Sequence, residues 1–344
     1  MKKFMLFAAM ASVVLTSCVN EDKEVMESAS KKAISFDMPV MKPTRALFGE
    51  IDGTTYPTTE TFKVFCKSYT GAYTDWTAGT DYFAAAGEDV ALNAGNWSTT
   101  TVHYWPELGN KLAFAAYSPA DASGTFAQTQ TGLTITGFST HDEVANQYDL
   151  MYTPRVVDKD KDDAATPVPL VFKHALTSVV FKAAKTDAHA TYTIKSLTVN
   201  GKVATTGDFN QNIPTPAALD GTATWKNLAT ATDKTYSILT SKAIDVTQAG
   251  TNLTGVGSTD GASTALLLIP QAVDASTTVT ITYTKTAGGS SSDATATIKL
   301  NDFVDATSNP VTTWVMGHRY IYNIIFGANK PIYFEPSVAD WTDV

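Results

Sequence analysis

Cysteine is scarce in this chain of 344 residues, which holds only Cys18 and Cys66. Two thiols allow no disulfide framework, so the core must come from burial alone. A basic stripe is also missing. The net charge is −9 with the acidic residues dispersed, which argues against nucleic acid as a partner because nothing is arranged to neutralise phosphates. Long apolar runs are absent beyond residues 4–15, so no further segment approaches the ~20 residues of a membrane span. The five histidines, His103, His141, His174, His189 and His318, show no metal-ligand spacing, and no paired-cysteine motif exists. There is no Gly-x-Ser-x-Gly elbow, phosphate loop or dinucleotide fingerprint. No catalytic residue, metal or cofactor is therefore expected, and no enzyme. Carboxylates paired only by folding escape this reading, because spacing does not reveal them. No fixed-period repeat appears, which excludes a solenoid or a propeller.

What is present is the texture of an all-β protein: Thr, Ser, Ala and Val, punctuated by Gly, Asn and Asp. Apolar residues recur at every second position in short runs bounded by turn residues. Phe62, Val64 and Cys66 form one such run, Leu112, Phe114 and Ala116 another, and Leu133 and Ile135 a third. Later come Val279, Ile281 and Tyr283, then Ala296, Ile298 and Leu300, then Tyr320, Tyr322, Ile324 and Phe326. Residues 265–269 are continuously apolar, as expected of a strand covered on both faces. Asn200-Gly201 reads as a hairpin turn. Residues 84–86 and 141–146 read as single helical turns.

Two stretches organise the remainder. In residues 33–38, Ile34, Phe36 and Met38 share one face, the pattern of a half-buried first strand. Pro39 ends it, and Pro43 biases residues 41–45 toward an exposed loop that closes on the Arg45-Ala46 bond. The second stretch, residues 158–163, is a charge run followed by prolines and reads as a surface linker between two strand-rich halves. A calcium loop opening on Asp158, Asp160 and Asp162 fails at Asp163, where glycine is needed, and at Pro169, where glutamate is needed. Trp76 and Tyr82 are candidates to stack on a sugar, with rim-of-core aromatics the favoured reading.

Lys2 and Lys3, the apolar run, and then Leu15-Thr16-Ser17-Cys18 resemble the lipobox of bacterial lipoproteins. That resemblance implies loss of residues 1–17 and an acylated, palmitate-bearing Cys18, with residues 18–32 a flexible tether. Asn20-Glu21-Asp22 resembles an acidic surface-export tag. Further along, Tyr104-Trp105-Pro106 with residues 112–119, Asp149-Leu150-Met151-Tyr152, residues 170–180 and Leu267-Leu268-Ile269-Pro270-Gln271 form an ordered set. With Trp314, Gly317, Tyr320 and Tyr322, it resembles the fimbrillin-like pilins of Bacteroidetes, the family that includes type V pilus subunits.

The resemblance implies two tandem transthyretin-like β-sandwich domains, expected at residues 33–168 and 169–344. It implies a structural, adhesive pilus subunit at the outer membrane and cell surface, held first by a lipid anchor. An arginine-specific protease would then cut at Arg45-Ala46, the strand carrying Ile34, Phe36 and Met38 would leave, and another pilus subunit would fill the groove by donor-strand exchange. Ile332, Phe334, Val338 and Trp341 make up the candidate donor segment, although Pro336 interrupts its hydrogen bonding. Of the other arginines, Arg319 falls in an expected strand and Arg155 is the rival cleavage site. Two alternatives stay open: a monomeric surface lipoprotein that binds a glycan or host receptor, and a lipidated pilus anchor.

Overall fold

The computed structural model describes residues 31–37, 56–107, 109–215, 218–239, 244–253, 265–302 and 310–327, and the backbone of 333–340. Among them the chain is built of strands, with three short 3-10 turns at Val144–Asn146, Lys161–Ala165 and Leu300–Asp302. The architecture is an all-β sandwich.

The first half forms a large, mostly antiparallel sheet. Its order runs Val168–Pro169, Phe36–Asp37, Asn96–Thr99, Glu88–Asn93, Phe62–Thr70, Asn110–Ser118, Met151–Tyr152 and Lys173–His174. Strand alternation divides its side chains between two cores. Leu112, Phe114 and Ala116 join Ile34, Phe36, Phe62, Val64 and Cys66 on one face. Ala113, Ala115 and Tyr117 turn to the other, where they meet Leu133, Ile135 and Phe209.

In the second half, one sheet holds Thr177–Lys185, Leu266–Leu268, His318–Phe326 and Tyr333–Asp340. It packs on a second sheet that contains Ala190–Asn212, Thr278–Ala287 and Ser290–Lys299. Leu266 and Leu268 enter the core between these sheets, while Ala265, Leu267 and Ile269 enter the core shared with the first half. Burial on both faces is why that run is continuously apolar.

Pairing crosses position 169 twice. Lys173–His174 pairs with Met151–Tyr152. Ala190–Asn212, 23 residues long, pairs with Thr278–Ala287 over Ala190 to Asn200 and with Gly132–Ser139 over Thr206 to Asn210. One strand thus belongs to both halves.

Two local readings change. Asn200-Gly201 is no hairpin turn, because the long strand runs straight through it. Gly201 has φ +127°, and a Cβ there would lie 2.6 Å from the Ser276 carbonyl oxygen. The glycine serves a register shift and a close backbone approach. The charge run at 158–163 is also more ordered than a linker. Val156–Lys159 pairs with Asn110–Ser118, and the Asp160 side chain caps the following 3-10 turn in a reciprocal capping box with Asp163.

Candidate functional site

The first strand is seated as an insert. Phe36 pairs in parallel with Val168 and antiparallel with Trp97, so its neighbours lie on both sides. The Val168 and Leu170 amides donate to the Ser35 and Asp37 carbonyls at 2.8 and 3.0 Å. On the other edge the Ile34 amide donates to the His103 carbonyl at 2.8 Å, and the Trp105 amide to that of Lys32 at 3.1 Å. Val168–Pro169 has no other sheet neighbour among the described residues. Pro169, which lacks an amide hydrogen, is tolerated at that edge.

Beneath the strand lies an aromatic floor. Ile34 and Phe36 are 3% and 2% exposed. The Phe36 ring meets Phe62 and Phe114 edge-on, at 6.1 and 5.8 Å between centroids. Phe62 continues to Phe172 at 5.4 Å and Tyr56 at 5.6 Å. The Tyr56 hydroxyl donates to the Thr61 carbonyl at 3.0 Å and lies 2.9 Å from the Ser118 hydroxyl. Burial pushes it far above the usual phenol range, opposed in part by the Ser118 hydrogen bond. Withdrawing residues 33–37 would expose this floor and leave a gap of about 9–10 Å, twice the normal strand spacing.

The other expected site residues are distributed as follows. Cys18, Met38, Arg45, Ala46, Ile332 and Trp341 lie outside the described residues. Phe334 and Val338 belong to Tyr333–Asp340, whose backbone pairs antiparallel with His318–Phe326. Ile34 and Phe36 come together in one core. Trp76 is 3% exposed and is covered by the Arg155 guanidinium, 5.3 Å from its ring centre. It offers no open stacking platform. Tyr82 is half-buried, and its hydroxyl donates to the Tyr104 carbonyl at 2.5 Å.

Sequence reasoning missed the role of Arg155. The residue is 2% exposed. Its guanidinium donates to the Tyr73 hydroxyl and to the Thr129 and Gln130 carbonyls, and its amide donates to the Leu219 carbonyl at 2.7 Å. Burial lowers its pKa, the direction expected for a desolvated cation. Two separate loops converge on its side chain and a third meets its backbone, and no local sequence pattern announces this. Arg319 sits between Ser178 and Ala339 on paired neighbouring strands. His174 is fully buried, with Nδ1 2.9 Å from an Asp149 carboxylate oxygen.

A sandwich whose first strand is held between two neighbours over an aromatic floor belongs with the β-sandwich proteins. The comparisons narrow that class. The chain belongs to the fimbrillin-like family, whose model matches residues 44–341. It is similar in fold to a candidate cell adhesion protein from Bacteroides uniformis, with 18% identity and TM-score 0.52, covering 91% of this chain and 100% of that one. A fimbrial protein from Bacteroides vulgatus aligns at 15% identity and TM-score 0.47, over 82% of this chain and 93% of that one. The tip fimbrial protein Mfa3 from Porphyromonas gingivalis, truncated at its C-terminus, aligns at 11% identity and TM-score 0.32, over 82% and 94%. No curated protein matches.

Proposed function

We propose that this chain is a structural and adhesive subunit of a cell-surface fimbrium. It is exported as a lipoprotein acylated at Cys18, cut at Arg45-Ala46, and assembled with other pilus subunits by donor-strand exchange. The observation that carries this reading is the seat of the first strand. Residues 33–37 bridge two neighbours and cover an aromatic floor, so their loss creates unpaired main-chain groups beside an apolar trough. Such a groove strongly favours capture of another strand.

Sequence adds a second support. Ile332-Tyr333-Phe334-Glu335 repeats the Ile-x-Phe-acid order of Ile34-Ser35-Phe36-Asp37. A donor carrying Ile332 and Phe334 would offer the groove the side chains that it loses, with Val338 and Trp341 following. Among the described residues, Tyr333–Asp340 pairs only with His318–Phe326, at the edge of its sheet. The arginine placement agrees as well. Arg155 is sealed and Arg319 lies within a paired strand, which leaves Arg45 as the residue for an arginine-specific protease.

The test treats the purified precursor with such a protease. The expected product begins at Ala46, remains intact at Arg155 and Arg319, and forms denaturant-resistant oligomers. Arg45→Ala is expected to stay monomeric, and oligomers formed equally well by that variant would refute the mechanism. A mature surface protein that keeps both lipidated Cys18 and the first strand would point instead to an anchor or a monomeric surface lipoprotein.

A further inference from the structure

The hairpin of Thr278–Ala287 and Ser290–Lys299 ends one side of its sheet. Its register runs unbroken from Ala287 opposite Ser290 to Thr278 opposite Lys299, and Gly288-Gly289, at φ +59° and +80°, makes the turn. In such a hairpin the residues flanking the turn exchange both main-chain hydrogen bonds, and bonded pairs alternate from there. The main-chain groups of Ala294, Ala296 and Ile298 therefore turn inward to the paired strand. Those of Asp293, Thr295, Thr297 and Lys299 turn outward, where no strand lies beside them among the described residues.

Proteins normally blunt so long an edge with a proline, a bulge or a cover. Thr222–Leu239, on the opposite side of Ala190–Asn212, is blunted in this way, because its register shifts at four places. Ser290–Lys299 has neither proline nor bulge. It carries two charges, Asp293 and Lys299, both exposed and both on the solvent face with Thr295 and Thr297. Asp293 pairs with Lys195 at 2.8 Å yet stays 63% exposed, so its carboxylate can accept a further cation.

Two identical edges laid antiparallel have one register in which these charges meet as opposites. With Ala296 facing Ala296 of a second copy, Asp293 faces Lys299, Thr295 faces Thr297, and Ala294 faces Ile298. The outward main-chain groups then meet one another and form about eight hydrogen bonds. Registers that set Asp293 on Asp293 or Lys299 on Lys299 are repelled. Hydroxyl pairs already cross the hairpin, Thr280 with Thr297 at 3.2 Å and Thr282 with Thr295 at 3.4 Å, and the new threonine pairs prolong that ladder across the junction.

We propose that Ser290–Lys299 is a self-complementary docking edge, on which a second copy of this chain pairs antiparallel about a two-fold axis at Ala296. The contact does not involve the first strand. Only one strand per copy is joined, so a Kd of about 0.1–1 mM is expected. At micromolar concentration Arg45→Ala thus remains the monomer expected above.

Sedimentation equilibrium on unacylated Arg45→Ala chain, up to about 1 mM, tests the edge apart from strand exchange. A monomer–dimer equilibrium with a Kd of about 0.1–1 mM is expected. Thr295→Pro removes an outward amide and spares the inward bonds of the hairpin, so it should weaken the dimer at least tenfold with the fold intact. Lys299→Asp makes both ion pairs repulsive and should weaken it about tenfold. Mixed with Asp293→Lys, it meets opposite charges again, and a heterodimer of the original strength should form. A chain that stays monomeric throughout refutes the proposal. A dimer indifferent to Thr295→Pro, or a mixture that recovers nothing, overturns it equally.

Discussion

Replacing Phe36 by Ala separates the stability of the first strand from that of the whole molecule. Truncating a buried Phe typically costs about 3–5 kcal/mol, and two edge-on partners at 6.1 and 5.8 Å place this site toward the upper part of that range. The strand is nevertheless held by few groups. Besides the pairing of Phe36 with Trp97 and Val168, four main-chain hydrogen bonds join residues 32–37 to His103, Trp105, Val168 and Leu170, so residues 31–37 can open as a unit. The loss should therefore appear in that local opening. The Val168 and Leu170 amides report on it directly, because their acceptors are Ser35 and Asp37. At 1.36 kcal/mol per decade, their exchange should accelerate by roughly two to four orders of magnitude. The Val179 and Phe181 amides, buried in the second half, should keep their protection. Native-state hydrogen exchange reads both sets at once. Unchanged exchange at Val168 and Leu170, or an equal loss at Val179 and Phe181, would refute the reasoning.

Two further outcomes follow from groups already described. Gly201→Ala forces a Cβ to within 2.6 Å of the Ser276 oxygen at φ +127° and should cost about 2 kcal/mol or more; an unchanged Tm would disprove the close-approach account. Alkaline pH should also destabilise the fold. Burial raises the phenol pKa of Tyr56 and of Tyr322, whose hydroxyl accepts from Trp314 Nε1 at 2.9 Å. The folded state holds these protons more tightly than the unfolded chain, so stability is full below the unfolded value near 10. Above it, stability should fall by about 1.4 kcal/mol per pH unit for each tyrosine. Urea midpoints at pH 8.5, 10 and 11 measure this, and a flat profile would refute it.

The legible part of the fold is the part that period-2 alternation encodes. Ile34 and Phe36 alternate with polar neighbours and are buried together, and the all-apolar run at 265–269 divides between two cores as double-sided burial requires. The partners of these segments were not legible. That Phe36 would run parallel to Val168, far along the chain, depends on long-range pairing that leaves no local mark. Gly201 was misread because a glycine at positive φ serves a turn, a bulge and a close approach alike. Asp158 to Asp163 looked solvated by composition, yet capping and strand pairing order it. Arg155 sits in an ordinary polar context, and only the converging loops explain its burial.

The strand Ala190–Asn212 has a mechanical consequence. In a protein drawn out under flow, tension between the two halves would not fall on the single covalent crossing near residue 170. It would be shared with hydrogen bonds lying across one continuous ribbon, which grips Thr278–Ala287 at one end and Gly132–Ser139 at the other. Bonds loaded side by side must fail together, whereas bonds peeled from an end fail in turn. The two halves should therefore yield to force as one body, with a single rupture event where a simple tandem pair would give two.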